Sequence, residues 1–573
     1  MNDLEHAAEQ WIAGDPDPQT RAELAAIVAS HDLPTLVDRM AGTLRFGTAG
    51  IRGAVEAGPN RMNRAVVIRT TAGLAAHLAA TVPPGDRLVV VGRDARPSSS
   101  AFMEDTIGVL VAAGFMVRYF ADPTPTPLVA YAGLTAGACA SIVITASHNP
   151  PADNGYKVYA SNGIQIIAPT DTQIAEQIEQ IGPANGVPRA ADPFGHPEAT
   201  AIGPELFDGY LHNVATTLPG LTGDRTLSIV YTPLHGVGGK FVTEALRSFG
   251  FKQVTPVARQ FAPDGTFPTV AFPNPEEPGT LDLAHDLASA IDADLVIAND
   301  PDTDRLGVSV PDPGGVWRPL TGNQIGCLLA EFLLSHHPDP SRATVVNSVV
   351  SSPLLGKVAE AHGATWARSL TGFKWIWNAA LDLQRDDVGV LALGYEEALG
   401  YSVGTTVRDK DGISAALAFA LMAAVARSEG KTVLDLVGDL FRAYGISVSD
   451  QVSLRTEGVD GVQRIAAAMD GLRTDPPRTL GGRRITAITD FLEHADERPR
   501  YLGATNLIEF GLEPSGRILA RPSGTEPKLK IYIDLDTPFP ACGDWMGAAA
   551  VLAKEATDTA NDLADRMRAT IES

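Results

Sequence analysis

Apolar residues recur at helical spacing among charges through the first forty positions, and Asp15-Pro-Asp-Pro18 interrupts them, so two helices are predicted there. Arg87-Leu-Val-Val-Val-Gly-Arg-Asp-Ala-Arg96 then reads as a buried strand running into a polar turn. A helix follows to about Ala113, with Ser98 or Ser99 near its cap. Strand, helix and strand alternate as far as Ser141-Ile-Val-Ile144, the pattern of a largely parallel sheet. A stretch dense in Pro and Gly, 182–197, separates this unit from a second one that opens near Thr226 and contains the apolar strand Asp294-Leu-Val-Ile-Ala298. A third unit starts near Gly315, with strands at 345–350 and 388–393 and a buried helix at 413–426. From Val452 a last domain reads as strands at 516–520 and 531–534 and a closing helix that ends at Ser573. The predicted domains are 1–205, 206–313, 314–448 and 449–573.

With 573 residues the chain is too long for a single core. Its 45% hydrophobic, 20% charged and 6% aromatic content is that of a globular protein. A net charge of −23 argues against general binding to nucleic acid or to anionic membrane, and an anionic substrate then needs a locally basic pocket. Cys139, Cys327 and Cys542 are widely spaced and read as buried or incidental thiols. The start, Met-Asn-Asp-Leu-Glu-His, is acidic and has no apolar run, and the 413–426 run is too short to span a bilayer, so the expectation is a cytoplasmic protein.

Chemistry concentrates in the loops after the strands. Thr145-Ala-Ser-His-Asn-Pro-Pro-Ala-Asp-Asn-Gly-Tyr-Lys157 sets one hydroxyl, Ser147, in a turn where a side chain stands free of the sheet and can carry a phosphoryl group. His148 is a poor triad partner for it, because neighbouring side chains in extended backbone point apart. Asp300, Asp302 and Asp304 lie two apart directly after a strand, and so many carboxylates in one short loop call for a hard cation such as Mg²⁺. An EF-hand is excluded because Arg305 and Pro311 stand where its glycine and glutamate belong. His235-Gly-Val-Gly-Gly-Lys240 fails as a phosphate loop, with Leu234 in place of the first glycine and Phe241 in place of Ser/Thr. Leu44-Arg-Phe-Gly-Thr-Ala-Gly-Ile-Arg-Gly53 offers Arg52 as a phosphate donor. Glu396 and Glu397 follow a buried strand, where they can accept sugar hydroxyls. Arg521-Pro-Ser-Gly-Thr525 combines a guanidinium, two hydroxyls and free N–H groups into an anion nest.

These strings, in this order, resemble the phosphohexomutase superfamily of phosphoglucomutases and phosphomannomutases. Glu396-Glu-Ala-Leu-Gly400, Phe272-Pro-Asn-Pro-Glu-Glu-Pro278, Thr371-Gly-Phe-Lys-Trp-Ile376 and Arg408-Asp-Lys-Asp-Gly412 look most like its longer branch, which includes phosphopentomutases. The resemblance implies an α/β fold: three similar domains with mixed or parallel sheets and a smaller C-terminal α+β domain around a central cleft. It implies that Ser147 is phosphorylated and that Mg²⁺ is held by Asp300, Asp302, Asp304 and the Ser147 phosphate. It puts Arg52 against the transferring group and has Arg305 steady that group or the metal loop. The resemblance makes Lys157 the candidate general base, its pKa depressed in a cationic cleft, with His148 as the weaker candidate. Glu396 matches the glutamate of the family's sugar loop, and Glu397, Lys374 and Lys410 are further substrate groups. Arg521, Ser523, Gly524 and Thr525 hold the phosphate already on the substrate. The sequence departs from the family at Ala398, where most members carry serine.

The implied activity interconverts glucose 1-phosphate and glucose 6-phosphate through glucose 1,6-bisphosphate, which is both intermediate and activator. The partner is then a small phosphosugar, with no nucleic acid and no membrane. A phosphopentomutase or a mutase of mixed specificity is the alternative, favoured by Ala398. A non-catalytic phosphosugar-binding or regulatory protein is the alternative of another class.

Overall fold

The computed structural model describes residues 2–44, 50–220, 223–456, 461–523 and 528–572, and forms two compact units. One comprises Met1–Leu320 with Leu399–Ala424, the other Thr321–Ala398 with Val425–Ser573. Each is described by itself.

The first unit opens with three helices, Asn2–Gly14, Pro18–Ala29 and Leu33–Met40, one more than the periodicity predicts. The added break falls at Asp32, whose carboxylate accepts the Thr35 N–H at 3.2 Å and starts the third helix as its N-cap. Strands β1 (Ile51–Ala54), β2 (Leu88–Arg93), β3 (Met116–Tyr119), β4 (Ala140–Ile144), β5 (Asp153–Ala160) and β6 (Ala199–Ala201) form a sheet in the order β1-β5-β4-β2-β3-β6. β4, β2, β3 and β6 run parallel, while β5 is antiparallel to both β4 and β1. The apolar run of β2 and β4 follows from burial of both sheet faces. Helix Ser99–Ala112 begins at the predicted cap, Ser98.

A second sheet of this unit joins β7 (Ile229–Thr232), β8 (Val254–Pro256), β9 (Leu295–Ala298), β10 (Gly307–Pro311) and β11 (Trp317–Pro319) in the order β11-β10-β9-β7-β8. Here β8, β7 and β9 are parallel, and β10 and β11 close the sheet antiparallel.

In the second unit β12 (Ala343–Ser348) lies between β13 (Thr365–Ser369) and β14 (Val390–Glu396), all parallel. The chain then forms β15 (Gly400–Val403), which belongs to the first unit. β16 (Ile446–Arg455), β17 (Thr479–Leu480), β18 (Arg483–Asp490), β19 (Ile508–Leu512), β20 (Gly516–Pro522) and β21 (Lys528–Thr537) build an antiparallel sheet in the order β16-β21-β20-β19-β18-β17. The closing helix, Trp545–Glu572, lies along β16 and β21. Three mixed or parallel α/β layers and a smaller α+β domain agree with the predicted fold class.

Among the described residues no single helix is long and apolar enough to cross a membrane. The three cysteines are free thiols, Cys139 and Cys327 buried and Cys542 exposed, and burial pushes the Cys327 thiol up to about 12. Ser147 and Asp300 follow the carboxyl ends of β4 and β9, and Glu396 ends β14, the positions where open α/β sheets gather ligands. β4 is anchored by Ile142, fully buried among Val89, Val91, Phe102, Ile107 and Phe115. Ile142→Ala is expected to cost about 2–5 kcal/mol in denaturant unfolding, the range for emptying a well-packed aliphatic site.

Candidate active site

The turn between β4 and β5 is held from behind by Arg96, which follows β2. All five of its guanidinium N–H groups are engaged: Nε donates to Asp94 Oδ2 at 3.1 Å, Nη1 to the carbonyls of Pro150 (2.6 Å) and Asp153 (2.8 Å), and Nη2 to those of Ser147 (2.8 Å) and Asn149 (2.6 Å). Arg96 satisfies these carbonyls, which lie in a turn whose base at Ser147 is buried and whose tip at 151–152 is exposed. The ring of Phe267 lies 5.1 Å from the guanidinium carbon. The clamp places Ser147 at φ 53°, in the left-handed region, with its N–H donated to Thr145 Oγ1 at 2.9 Å.

That backbone bend corrects two expectations. Ser147 does not stand free: it is buried, and its Oγ donates to Asp300 Oδ2 at 2.6 Å. Nor do Ser147 and His148 diverge, since the backbone is not extended and His148 Nδ1 lies 3.2 Å from Ser147 Oγ. Burial, with help from Arg305 and Arg52, holds the His148 imidazole well below its usual range, so it is neutral.

The Asp300–Asp304 loop converges as its spacing predicts. Asp300, Asp302 and Asp304 are buried, with carboxylate oxygens within 4.8 Å of one another. The loop is closed by Asn299 Nδ2, which donates to the Arg305 carbonyl at 2.5 Å, and by the Arg305 N–H, which donates to Asp300 Oδ1 at 3.1 Å. Thr303 at its apex adopts φ 62°. Lys157, from β5, donates Nζ to Asp302 Oδ2 at 2.7 Å and to Asp304 Oδ2 at 2.9 Å. Lys410 Nζ is 3.4 Å from Asp304 Oδ2, and Arg305 Nε is 4.0 Å from both Asp300 and Asp304. Thr126, which sequence reasoning missed, gives its hydroxyl to Asp302 Oδ2 at 2.7 Å and its N–H to the Asp302 carbonyl at 2.9 Å.

The electrostatics follow from burial and these partners. Burial and the two neighbouring carboxylates push Asp300 well above the usual carboxylate range. Burial acts on Asp302 and Asp304 in the same direction, but Lys157 outweighs it for Asp302, as do Lys157, Lys410 and Arg305 for Asp304, and both are held low. Lys157 differs from its expected state. Burial lowers its pKa, but Asp302 and Asp304 outweigh burial and raise it, so the lysine sits in an anionic pocket as a cation. Lys410, which the predicted bounds 314–448 put in one domain with Lys374, instead joins Asp304 and Asp409 in the first unit.

Asp302 Oδ1 and Asp304 Oδ1 are buried with no hydrogen-bond partner among the described residues. Two unsatisfied carboxylate oxygens beside a third carboxyl pushed up by their charge form the all-oxygen donor set that a hard divalent cation takes, so the residues fit Mg²⁺.

Arg52, on β1, is half-buried and donates Nη1 to Asn149 Oδ1 at 2.8 Å, which brings it to the serine turn. Residues 45–49 of its loop lie outside the described residues.

In the second unit Glu396 Oε1 accepts the Gly372 N–H at 2.6 Å, at the start of helix Phe373–Arg385, and the same helix carries Lys374, which is buried. Glu397, expected to accept sugar hydroxyls, has Oε2 occupied by Ser348 Oγ at 3.1 Å and Ser351 Oγ at 2.8 Å. Ala398 is half-buried beside it. Arg521, near the end of β20, is hydrogen-bonded to the Tyr532 hydroxyl. The Ser523 N–H donates to the Lys528 carbonyl at 2.7 Å and closes the base of the predicted nest. Gly524 and Thr525 lie outside the described residues.

Arg96, Thr126 and Tyr532 were not singled out from sequence. A readable signal existed for the first, the charged pair Asp94-Ala-Arg96 set directly after a buried strand.

Comparison with known proteins gives a consistent result. The chain matches the family described as phosphoglucomutase/phosphomannomutase in four parts: alpha/beta/alpha domain I over residues 43–185, domain II over 208–315, domain III over 321–444 and the C-terminal domain over 486–538. A probable phosphomannomutase of Haemophilus influenzae is 38% identical over 479 residues, 82% of this chain and 93% of that protein. A probable phosphoribomutase of Schizosaccharomyces pombe is 36% identical over 556 residues, 92% of this chain and 93% of that protein. Among solved structures, a putative phosphomannomutase from Thermus thermophilus shares the fold with a TM-score of 0.68 at 22% identity, covering 91% of this chain and 99% of that one.

Replacing Arg96 by Met leaves Asp94 buried without its cation and four carbonyls without donors. The expected cost is about 3–5 kcal/mol, together with faster amide hydrogen exchange across 146–153 than in the rest of the first unit. Uniform exchange would show that the turn does not depend on the clamp.

Proposed function

The chain belongs to the phosphoglucomutase/phosphomannomutase family of phosphosugar mutases, and from that premise we propose that it interconverts glucose 1-phosphate and glucose 6-phosphate through a phosphorylated Ser147. The observation that carries this reading is the Ser147 hydroxyl, donated at 2.6 Å to one of three buried, converging carboxylates. A hydroxyl in that position can take a phosphoryl group beside a site built for a divalent cation.

Asp300, Asp302 and Asp304 would hold Mg²⁺, which when bound supplies positive charge to the transferring phosphoryl group. Arg52 and Arg305 add two guanidinium groups for its oxygens. The free sugar hydroxyl attacks phosphorus, the bond from phosphorus to Ser147 Oγ breaks, and glucose 1,6-bisphosphate forms. The sugar hydroxyl gives up its proton, for which Lys157 and His148 are the candidate bases, and Ser147 Oγ takes one up as it leaves, for which His148, 3.2 Å from Oγ, is placed. The bisphosphate turns, Ser147 Oγ attacks its other phosphate and gives up its proton to His148, and the departing sugar oxygen takes up a proton in turn. Glu396, Lys374, Arg521 and Ser523 bind the sugar and its resident phosphate.

A second reading, ribose 1-phosphate to ribose 5-phosphate, is favoured by Ala398. It removes a hydroxyl from the sugar loop, in keeping with a substrate that has one hydroxyl fewer.

Two tests bear on the mechanism and the sugar. With catalytic sugar bisphosphate and Mg²⁺, glucose 1-phosphate is expected to turn over faster than ribose 1-phosphate or mannose 1-phosphate. Ser147→Ala should lower the rate about a thousandfold or more while the protein stays folded. Bound phosphosugar without turnover in the wild type would point to a binding protein. In thermal unfolding, Mg²⁺ at a hundredfold over its Kd should stabilise the wild type by about 2.7 kcal/mol, and Asp304→Asn should abolish most of that gain.

A further inference from the structure

The second unit contains a buried connection between the sugar loop and the strands that carry the phosphate loop. Ser351 Oγ donates to Glu397 Oε2 at 2.8 Å and accepts the Glu397 N–H at 3.0 Å, so one hydroxyl fixes both the side chain and the backbone of the residue after Glu396. Ser348 Oγ adds a bond to the same carboxylate oxygen at 3.1 Å. The serine turn is held in its own place by Arg517, which donates Nη1 to the Val349 carbonyl at 3.0 Å and Nη2 to the Ser351 carbonyl at 2.6 Å. Arg517 is buried on β20, four residues before Arg521, and its Nε donates to the buried Asp534 of β21 at 2.8 Å. Tyr532 of β21 packs against Val349 and Val350, and its hydroxyl is bonded to Arg521. Between Glu397 and Arg521, which are half-buried, the connection runs through buried groups: Ser348, Ser351, Arg517, Asp534 and Tyr532.

We infer that Ser351 and Arg517, acting through Glu397, are positioning residues that fix the separation between Glu396 and Arg521 and so select sugar length. This rests on the roles proposed above for those two groups. A pentose phosphate is shorter than a hexose phosphate by one carbon, about 1.5 Å of bond length, and a misplacement of about 1 Å at a reacting centre costs on the order of a hundredfold in rate. A rigid spacer between the sugar grip and the phosphate grip discriminates at that scale. A loose one does not.

The test measures kcat and KM of wild type and Ser351→Ala on glucose 1-phosphate and ribose 1-phosphate, with the thermal midpoint recorded alongside. Loss of a hydrogen bond to a charged group corresponds to about tenfold, so the ratio of kcat/KM between the better and the poorer sugar is expected to fall by about tenfold. The change should appear chiefly as a raised KM for the better sugar. Arg517→Lys, which keeps the charge but loses the two-carbonyl clamp, should move the ratio the same way, and Ser348→Ala stands in for either variant that fails to fold. An equal loss on both sugars, or an unchanged ratio, overturns the inference. Wild-type turnover is the separate control, and a wild type inactive on both sugars defeats the mutase reading and the spacer with it.

Discussion

Three carboxylates confined within 4.8 Å in a buried loop set the terms for the first unit. Two unit charges at that separation repel by about 3–4 kcal/mol at an effective dielectric constant of 20, and the loop contains three such pairs. The chain answers with cations from distant segments, Lys157 from β5 and Lys410 from the segment after β15, and with Arg305 from the loop itself. Asp302 and Asp304 take most of this compensation and are held low, while Asp300 is left high and receives the Ser147 hydroxyl. The division is chemically useful. The carboxyl that is least compensated is the one that touches the Ser147 hydroxyl, where a cation has most to offer.

Both loops that meet there depend on a residue in a conformation that non-glycine residues rarely adopt, Ser147 at φ 53° and Thr303 at φ 62°. Each costs roughly 1–2 kcal/mol, and β-branched Thr303 is the stronger outlier. The strain persists because the surroundings over-determine it: Arg96 fixes four carbonyls of one turn, and Asn299, Thr126 and the Arg305 N–H fix the other. A hydroxyl buried beside a carboxylate, instead of exposed on a turn, is the product of that strain.

The sequence was informative where chemistry is local. A buried strand followed by Asp-x-Asp-x-Asp, or by a serine in an Asn- and Pro-rich turn, announces its loop because period-two burial and turn chemistry act over a few residues. The largely parallel sheet followed from the alternation of strand and helix, and the four-domain plan from the family resemblance. What stayed hidden was tertiary. The contacts between Lys157 and Asp302, and between Lys410 and Asp304, join residues more than a hundred positions apart, and no periodicity encodes them. The sign of the Lys157 shift differs for that reason: in the expected cationic cleft a lysine loses its proton more easily, whereas one placed on two carboxylates keeps it. The Ser147–His148 contact was misjudged because one left-handed residue reverses the divergence of adjacent side chains. The third N-terminal helix was missed because a single aspartate cap marks its start.

The two units solve one problem in the same way. A loop at the carboxyl end of a strand must present side chains to a ligand, yet its own carbonyls are buried and have no strand partner. In the first unit Arg96 supplies donors to four such carbonyls and is neutralised by Asp94, two residues away. In the second, Arg517 supplies two and is neutralised by Asp534 on the neighbouring strand. Lysine would not serve, because its three donors diverge from one point and its charge is strongly hydrated, whereas a guanidinium spreads five donors across a rigid plane and sheds water more readily. A buried ion pair adds little net stability of its own. Its contribution here is shape, since a planar group with several donors committed, all five in Arg96, cannot rotate without breaking several bonds at once. The loop it holds is therefore fixed before any ligand arrives, and the binding energy of the sugar phosphate is available for the transfer instead of for ordering the site.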